Sequence, residues 1–177
     1  LDHVPSVFMA SFLYFGAGIG VGLMYLVNRN RVNEDKLEKK DLPYTLGMII
    51  LDIAAPIFLM IGIRLGNASD ASLLGNFEIV ATAMIALLLF KEKVSRKLWM
   101  AIALITVSSI ILSVDGESEF SFSYGSIFVL LATLCWGMEN NCTRSISDKS
   151  TYEIVTIKGL GSGIGSLIVA ILMGESL

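Results

Sequence analysis

Charge is scarce in this sequence. Only 16% of its 177 residues are Asp, Glu, Lys or Arg, against about 25% in an average soluble domain. Basic residues are not in excess, with 13 Lys+Arg against 16 Asp+Glu, which excludes a nucleic-acid binder held by a basic surface. Two cysteines are too few for a disulfide scaffold. Three prolines do not suit a collagen-like chain, and one histidine leaves little for a histidine metal site, so no metal or cofactor is expected. The scarcity of polar residues also excludes disorder. In their place stand apolar residues, 54% of the chain, with a mean hydropathy of +0.72. That balance belongs to a membrane protein.

The apolar residues form runs. A spanning helix needs about 20 mostly apolar residues, because the hydrocarbon core is about 30 Å thick. Six stretches meet or approach this: Val4–Val27, Leu42–Ile63, Ser72–Phe90, Leu98–Val114, Tyr124–Asn141 and Ile154–Met173. They contain only four charged residues, Asp52, Glu78, Glu139 and Lys158. Barrel strands would alternate apolar and polar residues; AMIALLLF and AIALITVSSIIL do not. The expected fold is an all-α integral membrane bundle of six transmembrane helices. The first run is too long for a signal peptide, and its basic residues follow it instead of preceding it.

The connectors carry a signed pattern. Lys and Arg number five in 28–41, one in 64–71, four in 91–97, none in 115–123 and two in 142–153. By the positive-inside rule, 28–41, 91–97 and 142–153 are cytoplasmic and the other two external. A start at Leu1 and an end just beyond a span lead us to expect a piece of a longer protein.

A repeat sets the expected size of the whole. Gly16-Ala17-Gly18-Ile19-Gly20 recurs as Gly161-Ser162-Gly163-Ile164-Gly165, 145 residues later. The two spans cross in opposite senses, as the members of an inverted repeat do. Completing that repeat gives ten helices in two five-helix halves; the alternative is a chance match between Gly-rich membrane helices. Gly16, Gly18, Gly20, Gly161, Gly163 and Gly165 lie inside spans, so close helix packing is their expected role, and nucleotide binding, which needs a strand–loop–helix context, is not.

With these residues in view, the chain resembles a known family. Residues 71–113 read ASLLGNFEIVATAMIALLLFKEKVSRKLWMAIALITVSSIILS. They resemble the fourth and fifth helices of the EamA type of the drug/metabolite transporter superfamily. That family shows a leucine-rich run, Glu-Pro, an aliphatic run, Gly-Glu-Arg/Lys-hydrophobic-Ser and a Trp-bearing helix. The matching residues are Glu78, Lys91-Glu92-Lys93-Val94-Ser95 and Trp99. Residues 125–147, with Cys135-Trp136-Gly137 and Asn140, are similar to the start of the family's second repeat. Ile79 replaces the usual Pro and Lys91 a frequent Gly, so a kink at Glu78 lacks its proline. The resemblance implies ten helices, an inverted repeat and cytoplasmic termini. It divides the chain into 1–114, a first repeat without its first helix; 115–123, an outer connector; and 124–177, two helices of the second repeat.

Candidate site residues follow from cost. A carboxylate at mid-bilayer costs about 2.5–3.5 kcal/mol on insertion scales and marks substrate pathways or proton relays. Asp52 shares a helix face with Thr45, Met48, Ala55 and Leu59, and Pro56 should free a carbonyl near it. It either lines a route for substrate or proton, or is a structural carboxylate bonded to a neighbouring helix. Glu78, alone in its span, has Ala71, Gly75 and Thr82 on its face, which suits a cavity or a close helix contact. Counted from the expected span ends, Asp52 lies about 16 Å and Glu78 about 9 Å from the outer surface, as successive positions along a route. Trp136 and Asn140 share a stripe with Thr133; Trp136 stacks on substrate or packs in the core. Lys158 is expected to snorkel to the interface, and Cys135 and Cys142 to be inert thiols.

The expected function is secondary transport of small organic metabolites or drugs across the cell membrane, driven by a proton or solute gradient, with no enzymatic step. No GxxxxGK[ST] nucleotide loop is present in this sequence. Expected partners are a small-molecule substrate and membrane lipid, with a homodimer also open and no nucleic acid. The competing readings are a small multidrug-resistance-like dimeric exporter, which the one-sided charge pattern opposes, and a membrane-embedded lipid-handling enzyme.

Overall fold

The computed structural model describes residues 6–28, 34–93, 95–114 and 123–174, with the side chains of Ser6 and 109–114 left out. The order is α1 (Ser6–Asn28), a 3-10 turn (Lys39–Asp41), α2 (Leu42–Leu65), α3 (Ala68–Gly75), α4 (Phe77–Leu88), α5 (Arg96–Val114), α6 (Tyr124–Ser145) and α7 (Thr151–Leu172). The fold is all-α: among the described residues the only β pairing is an isolated bridge between Asp35 and Lys149. Among the described residues, four helical stretches are long and apolar enough to cross a membrane: Val7–Asn28, Lys39–Leu65, Ala68–Leu88 and Thr151–Leu172. The other two expected spans are helices as well, α5 of 19 and α6 of 22 residues. Most of the expected outer connector, 115–122, lies outside the described residues, as do Val94 and residues 29–33.

The third span differs from expectation in where it starts and in its regularity. It begins at Ala68, four residues before Ser72, because Asn67 caps it: the Asn67 side chain accepts from Asp70 N at 2.7 Å and donates to Asp70 Oδ2 at 2.8 Å. Such a cap satisfies backbone N–H groups that have no partner inside the helix. Asn76 then separates α3 from α4, where Asn76 N donates to Leu73 O at 3.3 Å. Gly75-Asn76 therefore breaks the helix two residues before Glu78, a place where the family's proline is absent. Lys91, which ends this segment, has φ +55°, a left-handed conformation costly for any residue with a Cβ. It stands where the family often has glycine.

The chain divides into two compact units, residues 1–53 with 142–177, and residues 54–141. In the first, α1 and α7 pack antiparallel: Ser11 Oγ donates to Gly163 O at 2.9 Å, while near the other end of the pair Tyr25 stacks on Tyr152 with ring centroids 5.8 Å apart. The helices approach to backbone contact. A Cβ placed on Gly18 would lie 2.7 Å from Leu160 N, and one on Gly159 2.6 Å from Gly18 Cα. Gly163 lies against the Phe15 ring, whereas Gly161 and Gly165 lie against Ile49 and Ile53 of α2. Gly16 and Gly20 depart from the expected packing role, since a Cβ on either would enter open space. The offset of 145 carries Phe15 onto Leu160 and Gly18 onto Gly163. It thereby exchanges two of the observed contacts, Phe15 with Gly163 and Gly18 with Leu160, as a two-fold relation between α1 and α7 would.

In the second unit, Ala71, Leu74 and Val129 form a core with Leu59, Phe77 and Leu130 around it. A second close crossing joins α2 to α6. A Cβ on Gly125 would lie 2.5 Å from Gly62 O and 2.6 Å from Gly66 N.

Candidate functional site

Asp52 and Glu78 each sit at the midpoint of a membrane-length helical stretch, Lys39–Leu65 and Ala68–Leu88. Each gathers polar side chains from a different helix within its own unit.

Asp52 is buried, as are Thr45, Met48 and Ala55 on the same face. Pro56 has no N–H, so the Asp52 carbonyl, four residues earlier, loses its helical donor. The Tyr14 hydroxyl of α1 donates to that carbonyl at 3.3 Å. The carboxylate is met from α7: Ser162 Oγ donates to Asp52 Oδ2 at 3.3 Å, and Lys158 Nζ stands 3.7 Å from the same oxygen. Lys158 and Ser162 are one helical turn apart and so share a face. This corrects the snorkelling expectation. Lys158 lies seven residues into α7, about 10 Å along it, and only 27% of its side chain is exposed. It turns to the carboxylate and away from the interface. At 3.7 Å the pair attracts without the 2.7–2.9 Å contact of a charge-assisted hydrogen bond.

Glu78 is half-buried in the first turn of α4. Asn140 Nδ2 of α6 donates to Glu78 Oε1 at 3.0 Å and approaches Thr82 Oγ1 at 3.4 Å. Thr82 Oγ1 donates to the Glu78 carbonyl at 2.8 Å. Asn141 Nδ2 reaches Thr82 O at 3.0 Å and Gly137 O at 2.7 Å. Gly137 makes the approach possible, for a Cβ there would lie 2.9 Å from Thr82 N. The contact with Asn140, near the end of α6, corrects the shallow depth expected for Glu78. With the span starting at Ala68, Glu78 is ten residues in, about 15 Å along the helix. Trp136 is half-buried one turn before Asn140. Glu139 is buried.

At one end of the first unit the 34–41 connector is fastened to the start of α7. Asp35 bridges to Lys149, and Ser150 N donates to Asp35 O at 2.7 Å. Thr151 N donates to Glu34 Oε2 at 3.1 Å, and Leu37 N to Glu153 Oε2 at 2.9 Å. Lys149 Nζ donates to Glu38 Oε1 at 3.1 Å. The Lys149 ammonium, helped by Lys40, holds the Glu38 carboxyl below the usual carboxylate range. Glu38 in turn holds Lys149 above the ordinary lysine value.

Among the described residues no group of three or more His, Cys, Asp or Glu is arranged to hold a metal ion. Neither Cys135 nor Cys142 is in a disulfide. Sequence reasoning missed Tyr14 and the joining of Lys158 and Ser162 to Asp52. The available signals were Pro56 four residues after Asp52 and the Lys158/Ser162 spacing.

Residues 1–114 match the model of the EamA-like transporter family. An uncharacterized transporter of Methanothermobacter thermautotrophicus (strain Delta H) is 24% identical over 188 residues, covering 98% of this chain and 54% of the relative. The chain thus spans about half the length of that curated relative. No solved structure matches.

Proposed function

The chain belongs to the EamA-like transporter family, and from that premise we propose that the protein is a secondary carrier of small organic solutes, driven by a proton or solute gradient. The observation that carries the proposal is the Glu78 carboxylate at the midpoint of an apolar helical stretch, met by a polar side chain from another helix, with Asp52 placed likewise in its own stretch. Such groups are costly in lipid and mark ion and substrate pathways. The two are wired differently. Asp52 meets an ammonium and a hydroxyl, and its role in this reading is to hold α2 to α7. Glu78 meets neutral groups and, with Trp136 and Asn140, belongs to the route.

The proposed orientation places 28–41, 91–97 and 142–153 in the cytoplasm of a cell whose outer membrane boundary the protein spans. Its support is the charge pattern together with the meeting of 34–41 and 149–153 at one end of the unit. Single cysteines placed in 91–97 and in 115–123 should respectively escape and accept a membrane-impermeant thiol reagent in intact cells; the reverse pattern would invert the orientation. The carrier reading is tested by reconstituting the full-length protein in sealed vesicles. Gradient-dependent accumulation of a solute from a metabolite and drug panel supports it. Conversion of a solute without accumulation would favour an enzyme.

A further inference from the structure

Three of the four charged residues inside the expected spans are acidic and one is basic. The basic one is committed, because Lys158 lies against Asp52. Glu78 receives no such partner: among the described residues its carboxylate is met by the Asn140 amide alone. A half-buried carboxylate at mid-span with one neutral donor carries a charge that its surroundings do not balance, and in lipid that is costly. A cation from solution would balance that charge.

The neighbours indicate what kind of cation. Asn140 spends its amide nitrogen on Glu78 and Thr82, which leaves its carbonyl oxygen as an acceptor. Trp136, one turn earlier on the same face of α6, brings an indole, the aromatic surface that attracts cations most strongly. Both Trp136 and Glu78 are half-buried and Asn140 is exposed, so all three are accessible. A hard metal ion asks for six or more oxygens, and this group offers fewer. A carboxylate, an amide oxygen and an indole instead suit a cation with a carbon shell. We propose that Glu78, Asn140 and Trp136 form a binding point for an organic ammonium ion. That the ion is also carried across the membrane rests on the carrier reading above; its binding does not.

The test is equilibrium binding of radiolabelled benzyltrimethylammonium to the full-length protein in detergent. This quaternary probe has no proton to exchange. Wild-type protein should bind it saturably, with displacement by unlabelled tetraethylammonium and none by benzoate. Glu78→Gln should weaken binding by about thirtyfold or more, as loss of a desolvated charge partner does, and Trp136→Leu by about tenfold. Glu78→Asp, which keeps the charge, should bind within about threefold of wild type and covers the case in which Glu78→Gln folds poorly. Glu38→Gln, in the connector clamp, should bind normally. Absence of saturable binding by wild type, equal displacement by benzoate, or wild-type affinity in Glu78→Gln would each overturn the proposal. Binding lost in Glu78→Gln from a protein that moves no solute in vesicles would uphold this site and defeat the carrier reading.

Discussion

Removing Lys158 should cost more than removing Lys158 and Asp52 together. The two groups stand 3.7 Å apart with side-chain exposures of 27% and 4%. At an effective dielectric constant of about 20, unit charges at this distance attract by about 4 kcal/mol. Desolvation offsets much of that gain, so the net worth of the pair is small while the cost of breaking it is not. Stranding one buried member costs about 3–5 kcal/mol, whereas replacing both by apolar or neutral groups is often near neutral. Lys158→Met removes the ammonium from beside Asp52 and keeps the Ser162 hydroxyl as a donor at 3.3 Å. Asp52→Asn leaves an ammonium facing an amide. For the full-length protein in lipid nanodiscs, we expect each single substitution to lower thermal stability by about 3 kcal/mol, and the double variant Asp52→Asn/Lys158→Met to lose less than either, recovering more than about 3 kcal/mol of the summed loss. The assay is a double-mutant cycle on thermal or denaturant unfolding. Additive single effects would refute the reasoning, since they would mean that the two charges do not interact.

Three further outcomes are expected. Gly18→Leu should sharply lower stability or yield, because its side chain would meet Leu160 N and Gly159, whereas Gly16→Leu should leave both near wild type; equal effects in a thermal-shift assay would contradict the α1–α7 contact. Lys91→Gly should raise stability by about 1 kcal/mol, through relief of its left-handed backbone at φ +55°; unfolding curves of the two proteins check this, and a loss would refute it. Glu38, whose pKa is lowered by Lys149 and Lys40, contributes stability that is present above the ordinary carboxylate range and lost as pH falls through its folded value. Lys149, raised by Glu38, contributes below the ordinary lysine value and loses that contribution as pH rises through its folded one. Unfolding followed from pH 3.5 to 7 should therefore show a wild-type decline on the acid side that is smaller in Glu38→Gln.

Much of the architecture was legible because the lipid core leaves so few options. Keeping 25 of the 29 charged residues outside the spans already marks the helices. What failed was whatever depends on a partner. Polarity assigned Asn67–Ala71 to a connector, yet Asn67 and Asp70 are polar because they cap a helix. Glycine at every second position reads as one ladder, but two residues turn a helix by about 200°, so only alternate glycines share a face. Gly18 and Gly22 therefore look toward α7, at Leu160 and Thr156, while Gly16 and Gly20 do not. No repeat marks Gly62, Gly66 and Gly125, so their close crossing has no signal in the sequence. The distance of Lys158 from an end of its own helix predicts snorkelling, and nothing in that helix reveals a carboxylate waiting on α2. The Asn140–Glu78 contact, between residues 62 apart in sequence, was hidden for the same reason.

The central claim, that Glu78 belongs to the route of a gradient-driven carrier, is met most directly by flux through the full-length protein in sealed vesicles. The measurement compares wild type with Glu78→Gln under an imposed pH gradient or a counter-gradient of solute, with both proteins reconstituted at equal density. The account predicts accumulation above equilibrium by wild type, its collapse when the gradient is dissipated, and loss of accumulation in Glu78→Gln. Equal accumulation by the two proteins, or none above empty vesicles by wild type across the solute panel, would contradict it.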